Sequence, residues 1–234
     1  MDTEAQPTER DRSRPPGTPG ARDLSRFALV ARLADRLPGG RFTLVLFTCL
    51  AFVLFLNAFV VRPFEIPSGS MERGLRVGDR VLVNKLAYRF GARPERGDVV
   101  VFDGTGYFGH ADYVKRVVGV GGDHVVCCGR DERKARIEVN GRPVDETAFL
   151  YPGDSASAVP FDVVVPEGRL FLLGDHRARS SDSRDHLGSP GGGMVPVFDV
   201  VGRADWIVWP YGHWTRVERP AAYARVPAAE AAHG

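Results

Sequence analysis

An unbroken apolar run, FTLVLFTCLAFVLFLNAFVV, limits what this chain can fold into more than any other feature. It extends from Phe42 to Val61, carries no charge and is bracketed by Arg41 and Arg62. As an α-helix it would be about 30 Å long, which matches the hydrocarbon thickness of a bilayer. A buried helix or a cleaved signal peptide is disfavoured, the latter because no small-x-small exit precedes Arg62. We therefore expect an uncleaved transmembrane anchor over residues 42–61.

Arginines flank this run unequally. Five lie in residues 22–41 and four in residues 62–81, and cytoplasmic flanks usually carry the excess of positive charge. We therefore expect a single-pass protein with a cytoplasmic amino terminus and with residues 62–220 on the outer face of the membrane. Residues 1–41, rich in Pro, Gly and charged residues, predict a flexible polar segment. Residues 221–234 predict a loose tail.

Composition excludes several classes of protein. With 234 residues, of which 44% are hydrophobic, the chain can bury one sizeable core and a smaller subdomain. The formal net charge is only +2 and the basic residues are scattered, so we expect no nucleic-acid partner. The three cysteines show no metal-ligand spacing, and no metal or other cofactor is indicated. The adjacent Cys127 and Cys128 either form a disulfide in an oxidising compartment or stay free thiols.

Short β-branched and aromatic runs dominate the chain after the apolar run. They include RVLVNKLAY, DVVVF, YVKRVVGV, RLFLLG and DWIVWPY, separated by Gly, Asp and Pro and by the hairpin-like pair Asn140-Gly141. No helical period of useful length intervenes. We therefore predict a mainly β fold, with antiparallel sheets in a sandwich or a partly closed barrel, preceded by one transmembrane helix.

Two serines in PSGSM, Ser68 and Ser70, follow the apolar run closely. Their alternation would place both hydroxyls on the same side of an extended segment, but a hydroxyl becomes a nucleophile only beside a base. Two Asp-His pairs, at residues 175–176 and 185–186, leave a Ser-His-Asp enzyme as one alternative. No GxSxG elbow surrounds either serine, which weighs against that alternative.

Lysine is the second candidate base. Of 31 cationic residues only Lys85, Lys115 and Lys134 are lysine, and a buried ammonium loses its proton more easily than a guanidinium. Lys115 lies in YVKRVVGVGGD and Lys85 in LVNKLAY, both within apolar runs that predict buried strands. The strand pattern alone does not choose between them, whereas Lys134 in RDERKAR is expected to be solvated.

A polar segment, GDHRARSSDSRDHLG, spans residues 174–188 directly after the strand RLFLL. It is either a charged surface loop or a hydrogen-bonded shell that positions a catalytic side chain. The composition alone fits both interpretations.

Five segments together resemble the sequence boxes of bacterial type I signal peptidases, in the family's order. They are FEIPSGSM, GLRVGDRVLVNKLAY, RGDVVVF, YVKRVVGVGGD and GDHRARSSDSRDHLG. The resemblance covers residues 63 to about 209 and the anchor. It implies that Ser70, the serine before Met, is the nucleophile and that Lys115 of the YxKR box is the general base.

The resemblance also implies roles for residues around this dyad. The Ser68 hydroxyl and the Ser70 backbone N-H would hold the oxyanion. Further supporting residues would be Ser180, bonded to the lysine amine, Asp182 and Arg184, which brace the site, and Asp175, paired with Arg116. Residues of a substrate cleft for small side chains would be Ile66, Pro67, Met71, Leu75, Tyr113 and Val114.

The implied fold is an almost all-β domain with an inserted smaller β subdomain, at about residues 121–168. The sequence departs from the family's pattern at His176, where the family usually has Asn, and at Glu72-Arg73, where Pro often follows SM. Residues 189–193, SPGGG, look like a short loop insertion.

These features predict a serine endopeptidase of the bacterial cell membrane that removes N-terminal signal peptides from exported preproteins with small-x-small cleavage sites. Nine residue steps from Val61 to Ser70 reach at most about 30 Å, so the site would lie near the lipid bilayer. One rival is a self-cleaving repressor with a Ser/Lys pair, which the apolar run disfavours. The other is an anchored extracytoplasmic β domain that binds a partner without catalysis.

Overall fold

The structure, a computed structural model, describes residues 40–128 and 136–229 and divides the chain into two compact units at Val53 and Leu54. The predictions for residues 1–39, 134 and 230–234 lie outside the described residues. The helix α1, Gly40–Phe55, continues through a π-helical turn, Leu56–Val60. The segment Phe42–Val60 has a mean hydropathy of 2.4 and is long and apolar enough to cross a membrane.

The main sheet contains eight strands, with the bounds β1 Val61–Glu65, β2 Arg80–Asn84, β3 Val99–Asp103, β4 Asp112–Val120, β9 Arg169–Leu173, β10 Val195–Pro196, β11 Val200–Trp209 and β12 Thr215–Arg216. They pair antiparallel in the order β1-β2-β11-β3-β4-β9-β10, with β12 beside β11.

A second sheet has four antiparallel strands in the order β7-β6-β5-β8. Its strands are β5 His124–Cys127, β6 Ile137–Val139, β7 Arg142–Pro143 and β8 Phe161–Val164. They all lie between β4 and β9, which pair directly with each other, so the smaller sheet is an insertion into the main one. The prediction of a mainly antiparallel β fold with one apolar helix is confirmed. The predicted domain boundaries remain predictions.

Alternating side chains explain how these runs become strands. In β2, Val81 and Val83 are fully buried, whereas their neighbours are exposed or half-buried. The β6–β7 hairpin turns at Asn140 and Gly141, both with positive φ (51° and 72°), as a two-residue type I′ turn requires. The Asn-Gly pair was therefore a valid hairpin signal.

The segment after residue 220 differs from the predicted loose tail. Ala221–Arg225 form a short 3₁₀ helix, and Tyr223 and Val226 are buried in a core cluster that also contains Phe149. The Phe149 and Tyr223 rings stack with centroids 6.0 Å apart. A single buried aromatic side chain is enough to hold this stretch against the core. Because the stretch has no regular apolar period, its sequence pattern does not predict this packing.

The cysteines follow one of the two alternatives left open. Cys127 and Cys128 form a disulfide at the end of β5, and Cys49 is free and exposed on α1.

Candidate active site

Ser70 lies in a tight turn that follows β1. Gly69–Met71 form a 3₁₀ turn, in which Ser70 is only 8% exposed. Met71 and Leu75 are buried in a core cluster, and the Ser70 carbonyl accepts a hydrogen bond from the backbone N-H of His176 at 3.1 Å. The packing of Met71 and this backbone bond together fix where the Ser70 hydroxyl points.

Lys115 reaches Ser70 from the centre of the main sheet. It lies on β4, opposite Val100 of β3, and is only 3% exposed. Its Nζ donates a hydrogen bond to Ser70 Oγ at 2.8 Å. A distance of this kind is what proton transfer between a nucleophile and its base requires.

Burial lowers the pKa of Lys115 from 10.5 to about 8, although Asp182 and Asp175 partly oppose that shift. The loss of hydration disfavours the charged ammonium, and the nearby carboxylates favour it. The amine is thus a base whose pKa lies much closer to neutrality than that of a solvated lysine.

Ser68 lies beside the same hydroxyl. Its Oγ donates to Ser70 Oγ at 3.3 Å. The backbone of Ser68 is extended, but the 3₁₀ turn begins at Gly69, so the predicted extended segment through Ser70 is wrong. The two hydroxyls meet because of the turn and not because of strand alternation.

Arg116 and Asp175 form a buried ion pair behind the dyad. Nε and Nη2 of Arg116 donate to the two carboxylate oxygens of Asp175 at 2.8 and 2.6 Å. Nη1 donates to the carbonyl of Gly97 at 2.8 Å, and the guanidinium lies over the Phe149 ring at 4.5 Å from its centroid. The pair connects β4 to the segment that follows β9, with which Ser70 makes its backbone bond.

Asp182 and Arg184 form a second buried pair. Arg184 Nε and Nη2 donate to the Asp182 carboxylate at 2.8 Å each, and the backbone N-H of Gly174 donates to it at 3.0 Å. Burial alone would raise the pKa of Asp182, but the hydrogen bonds and charge of Arg184 hold it below its ordinary value. A carboxylate therefore stays ionised close to Lys115.

Ser180 does not make the hydrogen bond to the lysine that the resemblance implies. Its Oγ is buried and lies close enough to the Asp182 carboxylate to help lower the pKa of that group, but within residues 40–128 and 136–229 it has no hydrogen-bond partner of good geometry. It lies against Gly174, where a Cβ atom would be 2.2 Å from Ser180 Oγ. Ser180 is thus at the site, while the lysine amine bonds to Ser70 instead.

The two departures from the family's pattern meet beside Ser70. His176 Nδ1 is 3.6 Å from Glu72 Oε2, and the His176 ring stacks on Tyr151 with centroids 3.8 Å apart. Sequence reasoning did not find Tyr151, because it is distant in the chain and its flanking residues carry no motif. It also missed the buried ion pair of Arg177 with Glu146.

The residues expected to line a substrate cleft lie in three different environments. Ile66, Met71 and Leu75 are buried in one core cluster, against which Val114 packs. Tyr113 belongs to a different cluster, where its ring stacks on Phe102. Pro67 is exposed beside the serines.

Lys85 takes no part in this arrangement. It is half-buried at the end of β2, and its Nζ donates to the backbone carbonyl of Ala58. Among the residues described, no group of His, Cys, Asp or Glu could hold a metal ion. The contact between Lys115 Nζ and Ser70 Oγ is a geometry in which an amine can accept the proton of a serine hydroxyl.

Known proteins are similar to this chain over most of its length. The family model described as signal peptidase, peptidase S26, matches residues 40–209. Signal peptidase I of Mycobacterium tuberculosis is 35% identical, covering 79% of this chain and 79% of its own. Signal peptidase I of Pseudomonas aeruginosa is also 35% identical, covering 70% and 71%. A solved signal peptidase I from Enterococcus faecalis is 26% identical, covers 47% of this chain and 96% of its own, and has a TM-score of 0.36, too low to bear on the fold.

Proposed function

Since this chain belongs to the signal peptidase family, peptidase S26, and is thus a serine peptidase of signal-peptide processing, we propose that it cleaves by a Ser70/Lys115 dyad at the membrane surface. The observation that carries the proposal is the 2.8 Å contact between Lys115 Nζ and Ser70 Oγ at a buried position. Sequence resemblance assigned both residues, and their contact supports the assignment.

The catalytic cycle begins with neutral Lys115. Its Nζ takes the proton from Ser70 while Oγ attacks the scissile carbonyl carbon, and a tetrahedral oxyanion forms. The protonated lysine then gives its proton to the leaving amine, which leaves an acyl-enzyme on Ser70. Lysine next takes a proton from water as the water oxygen attacks the acyl carbon. The protonated lysine then gives this proton to Ser70 Oγ as that oxygen leaves, which restores the serine hydroxyl and the neutral amine. The acid product loses its own proton to solvent.

The oxyanion requires hydrogen-bond donors that are already in place. The Ser70 backbone N-H and the Ser68 hydroxyl are the proposed donors, and the proximity of the two serine side chains supports this role. A single such donor typically lowers the barrier by about 3 kcal/mol, or roughly a hundredfold or more in rate.

The substrate follows from the position of the site in the chain. The apolar segment ends at Val60, and nine steps from Val61 to Ser70 reach at most about 30 Å. A signal peptide keeps its apolar part in the bilayer, with a small-x-small cleavage site just outside. A membrane anchor with a cytoplasmic amino terminus would thus bring peptidase and scissile bond together on the outer face.

Two variants test the dyad. Ser70→Ala and Lys115→Ala should each abolish cleavage of a preprotein with an Ala-x-Ala site, as measured by release of the mature product. Lys85→Ala is the matched control, because that lysine bonds to Ala58 and not to Ser70, and it should keep most of the activity. Full activity in Lys115→Ala, or its loss only in Lys85→Ala, would remove Lys115 as the base. Absence of any cleavage by the wild type would favour an anchored binding domain.

A further inference from the structure

A cationic cavity lies at the end of the main sheet where the apolar segment terminates. It has a volume of about 950 Å³, within the range of ligand-binding pockets. Four cationic side chains line it, namely those of Lys85, Arg89, Arg93 and Arg169. The single acidic lining residue is Glu167, which leaves an excess of three positive charges (four minus one).

None of these four cations makes an ion pair within the described part of the chain. Other arginines nearby in the fold are paired: Arg80 with Glu65, Arg96 with Asp123, and Arg203 with Asp205. Arg89 and Arg93 are exposed and make no side-chain hydrogen bond among the described residues. Their charges are therefore available to an anionic ligand.

Contacts of Lys85 place the cavity next to the membrane-spanning candidate. The Lys85 backbone N-H donates to the carbonyl of Val60 at 2.9 Å, and its Nζ donates to that of Ala58. Ala58 and Val60 are among the last three residues of the apolar segment. Lys85, which lines the cavity, therefore lies against the end of the apolar segment.

Apolar side chains also line the cavity. Val197, Val200 and Leu170 contribute to its wall, and Phe198, which also lines it, is 83% exposed. Phe90, which follows Arg89 in the sequence, is 95% exposed. Bulky aromatic side chains exposed to this degree beside cations suit a ligand that has both a negative charge and hydrocarbon.

We propose that this cavity binds the headgroup of an anionic phospholipid from the leaflet at which the apolar segment ends. Lys85, Arg89 and Arg93 would contact the phosphate, and Phe198 and Phe90 would contact the upper acyl chains. Basic pockets beside membrane-spanning helices recognise anionic headgroups in this way. The inference rests on the proposed membrane anchor but not on the catalytic dyad.

Native mass spectrometry of the full chain in neutral detergent tests the proposal. Titration with dioleoyl phosphatidylglycerol gives the Kd of the first bound lipid, and dioleoyl phosphatidylcholine controls for the acyl chains. We expect phosphatidylglycerol to bind at least about 25-fold more tightly than phosphatidylcholine. Arg89→Gln with Arg93→Gln should raise its Kd about 25-fold, at about fivefold per lost charge, without changing the Kd of phosphatidylcholine.

The matched control removes two charges elsewhere. Arg136 and Arg142, both exposed, belong to the region of the second sheet and do not line the cavity, so Arg136→Gln with Arg142→Gln should change the Kd less than twofold. An equal loss in both double variants would show long-range attraction only and overturn the site. Equal Kd values for phosphatidylglycerol and phosphatidylcholine in the wild type would also overturn the site. Glycerol 3-phosphate displacing the lipid at equal concentration would indicate a site for small anions and not for lipid.

Peptidase activity separates this proposal from the proposed function. Cleavage of a short soluble peptide in detergent should be unchanged in the Arg89→Gln, Arg93→Gln variant, because neither residue belongs to the catalytic site. A wild-type chain that binds phosphatidylglycerol but cleaves no substrate would refute the dyad and leave the lipid site standing. A chain that cleaves but does not discriminate between the lipids would refute only the lipid site.

Discussion

Lys115 combines two properties that a catalytic lysine needs. It is almost fully buried, which lowers its pKa, and it touches the Ser70 hydroxyl directly. The carboxylates of Asp182 and Asp175 limit the lowering of the pKa to about 8. A lysine without them would be neutral at lower pH, but it would also be a weaker base.

The pKa of Lys115 predicts the pH dependence of the reaction. Since only the neutral amine accepts a proton, activity should be low when the lysine is protonated and should rise through pH 8 to a plateau. The measurement is kcat/KM on a soluble peptide between pH 5 and pH 10. If kcat/KM rises with an apparent pKa near 10, a solvated lysine is the base. If kcat/KM does not change with pH, lysine is excluded as the base.

Ser68→Ala should lower kcat about a hundredfold and leave KM nearly unchanged, because an oxyanion donor acts only in the transition state. Ser68→Thr keeps the hydroxyl and is the matched control, with an expected loss below tenfold. Steady-state kinetics on one peptide distinguish these outcomes. A rise in KM alone would mean that Ser68 binds substrate and does not stabilise the oxyanion.

Individual side chains show where sequence reasoning ends. The rarity of lysine and the apolar flanks of Lys115 made it a candidate, but Lys85 had similar flanks. The resemblance to the YxKR box favoured Lys115, and the contact of Lys115 with Ser70 supports that choice. The meeting of Glu72, His176 and Tyr151 depends on packing between segments about 25 to 100 residues apart. Local pattern carries no information on such contacts.

At the scale of elements, the segment after β9 folds back onto that strand and onto the serine turn. Ser183 Oγ accepts from the backbone N-H of Leu172 at 3.0 Å, and Asp182 accepts from that of Gly174. The Ser70 carbonyl bonds to the same segment through His176. The polar stretch 174–188 thus contributes a hydrogen-bonded shell, which was one of the two interpretations of its composition.

Gly174 allows this close approach, because a Cβ atom there would lie 2.2 Å from Ser180 Oγ and 2.5 Å from the Ser70 carbonyl oxygen. Gly174→Ala should therefore displace the nucleophile and lower kcat/KM by about a hundredfold, as a misplacement of about 1 Å does. In Gly188→Ala, the control, the new methyl group would meet no heavy atom within 4 Å. Equal activities of the two variants, assayed on the same peptide, would contradict the importance of this packing.

Strands were predictable where local chemistry determines them. Runs rich in β-branched residues gave β2, β3 and β4, a run of leucine and phenylalanine gave β9, and Asn140-Gly141 gave a hairpin. The pairing of β2 with β11 was not predictable, because it joins residues more than 100 positions apart. The strand order follows from long-range packing that no single run encodes.

At the scale of the whole molecule, the described residues form an apolar helix and a β domain, and the boundary between the two compact units falls within that helix, between Val53 and Leu54. Twenty uncharged residues are enough to predict a membrane span, because the backbone of a lipid-exposed segment must satisfy its own hydrogen bonds. The orientation of that span rests on the arginine asymmetry and remains a prediction.

Deletion of residues 1–60 tests what the anchor contributes. Cleavage of a preprotein in vesicles should fall at least tenfold, because the anchor holds peptidase and substrate at the same membrane. Cleavage of a short soluble peptide should stay within about threefold of the full chain, which also controls for folding of the β domain. A similar loss on both substrates would mean that the deletion damages the site, and no loss on either would mean that anchoring is irrelevant to turnover.

The most direct test of the central claim is the mass of the product that this chain releases from one defined preprotein carrying a single Ala-x-Ala site. Our account predicts one mature product, cut immediately after the second Ala, from the wild type and none from Ser70→Ala under the same conditions. Cleavage at another position, or the same product from Ser70→Ala, would contradict a signal peptidase that acts through Ser70.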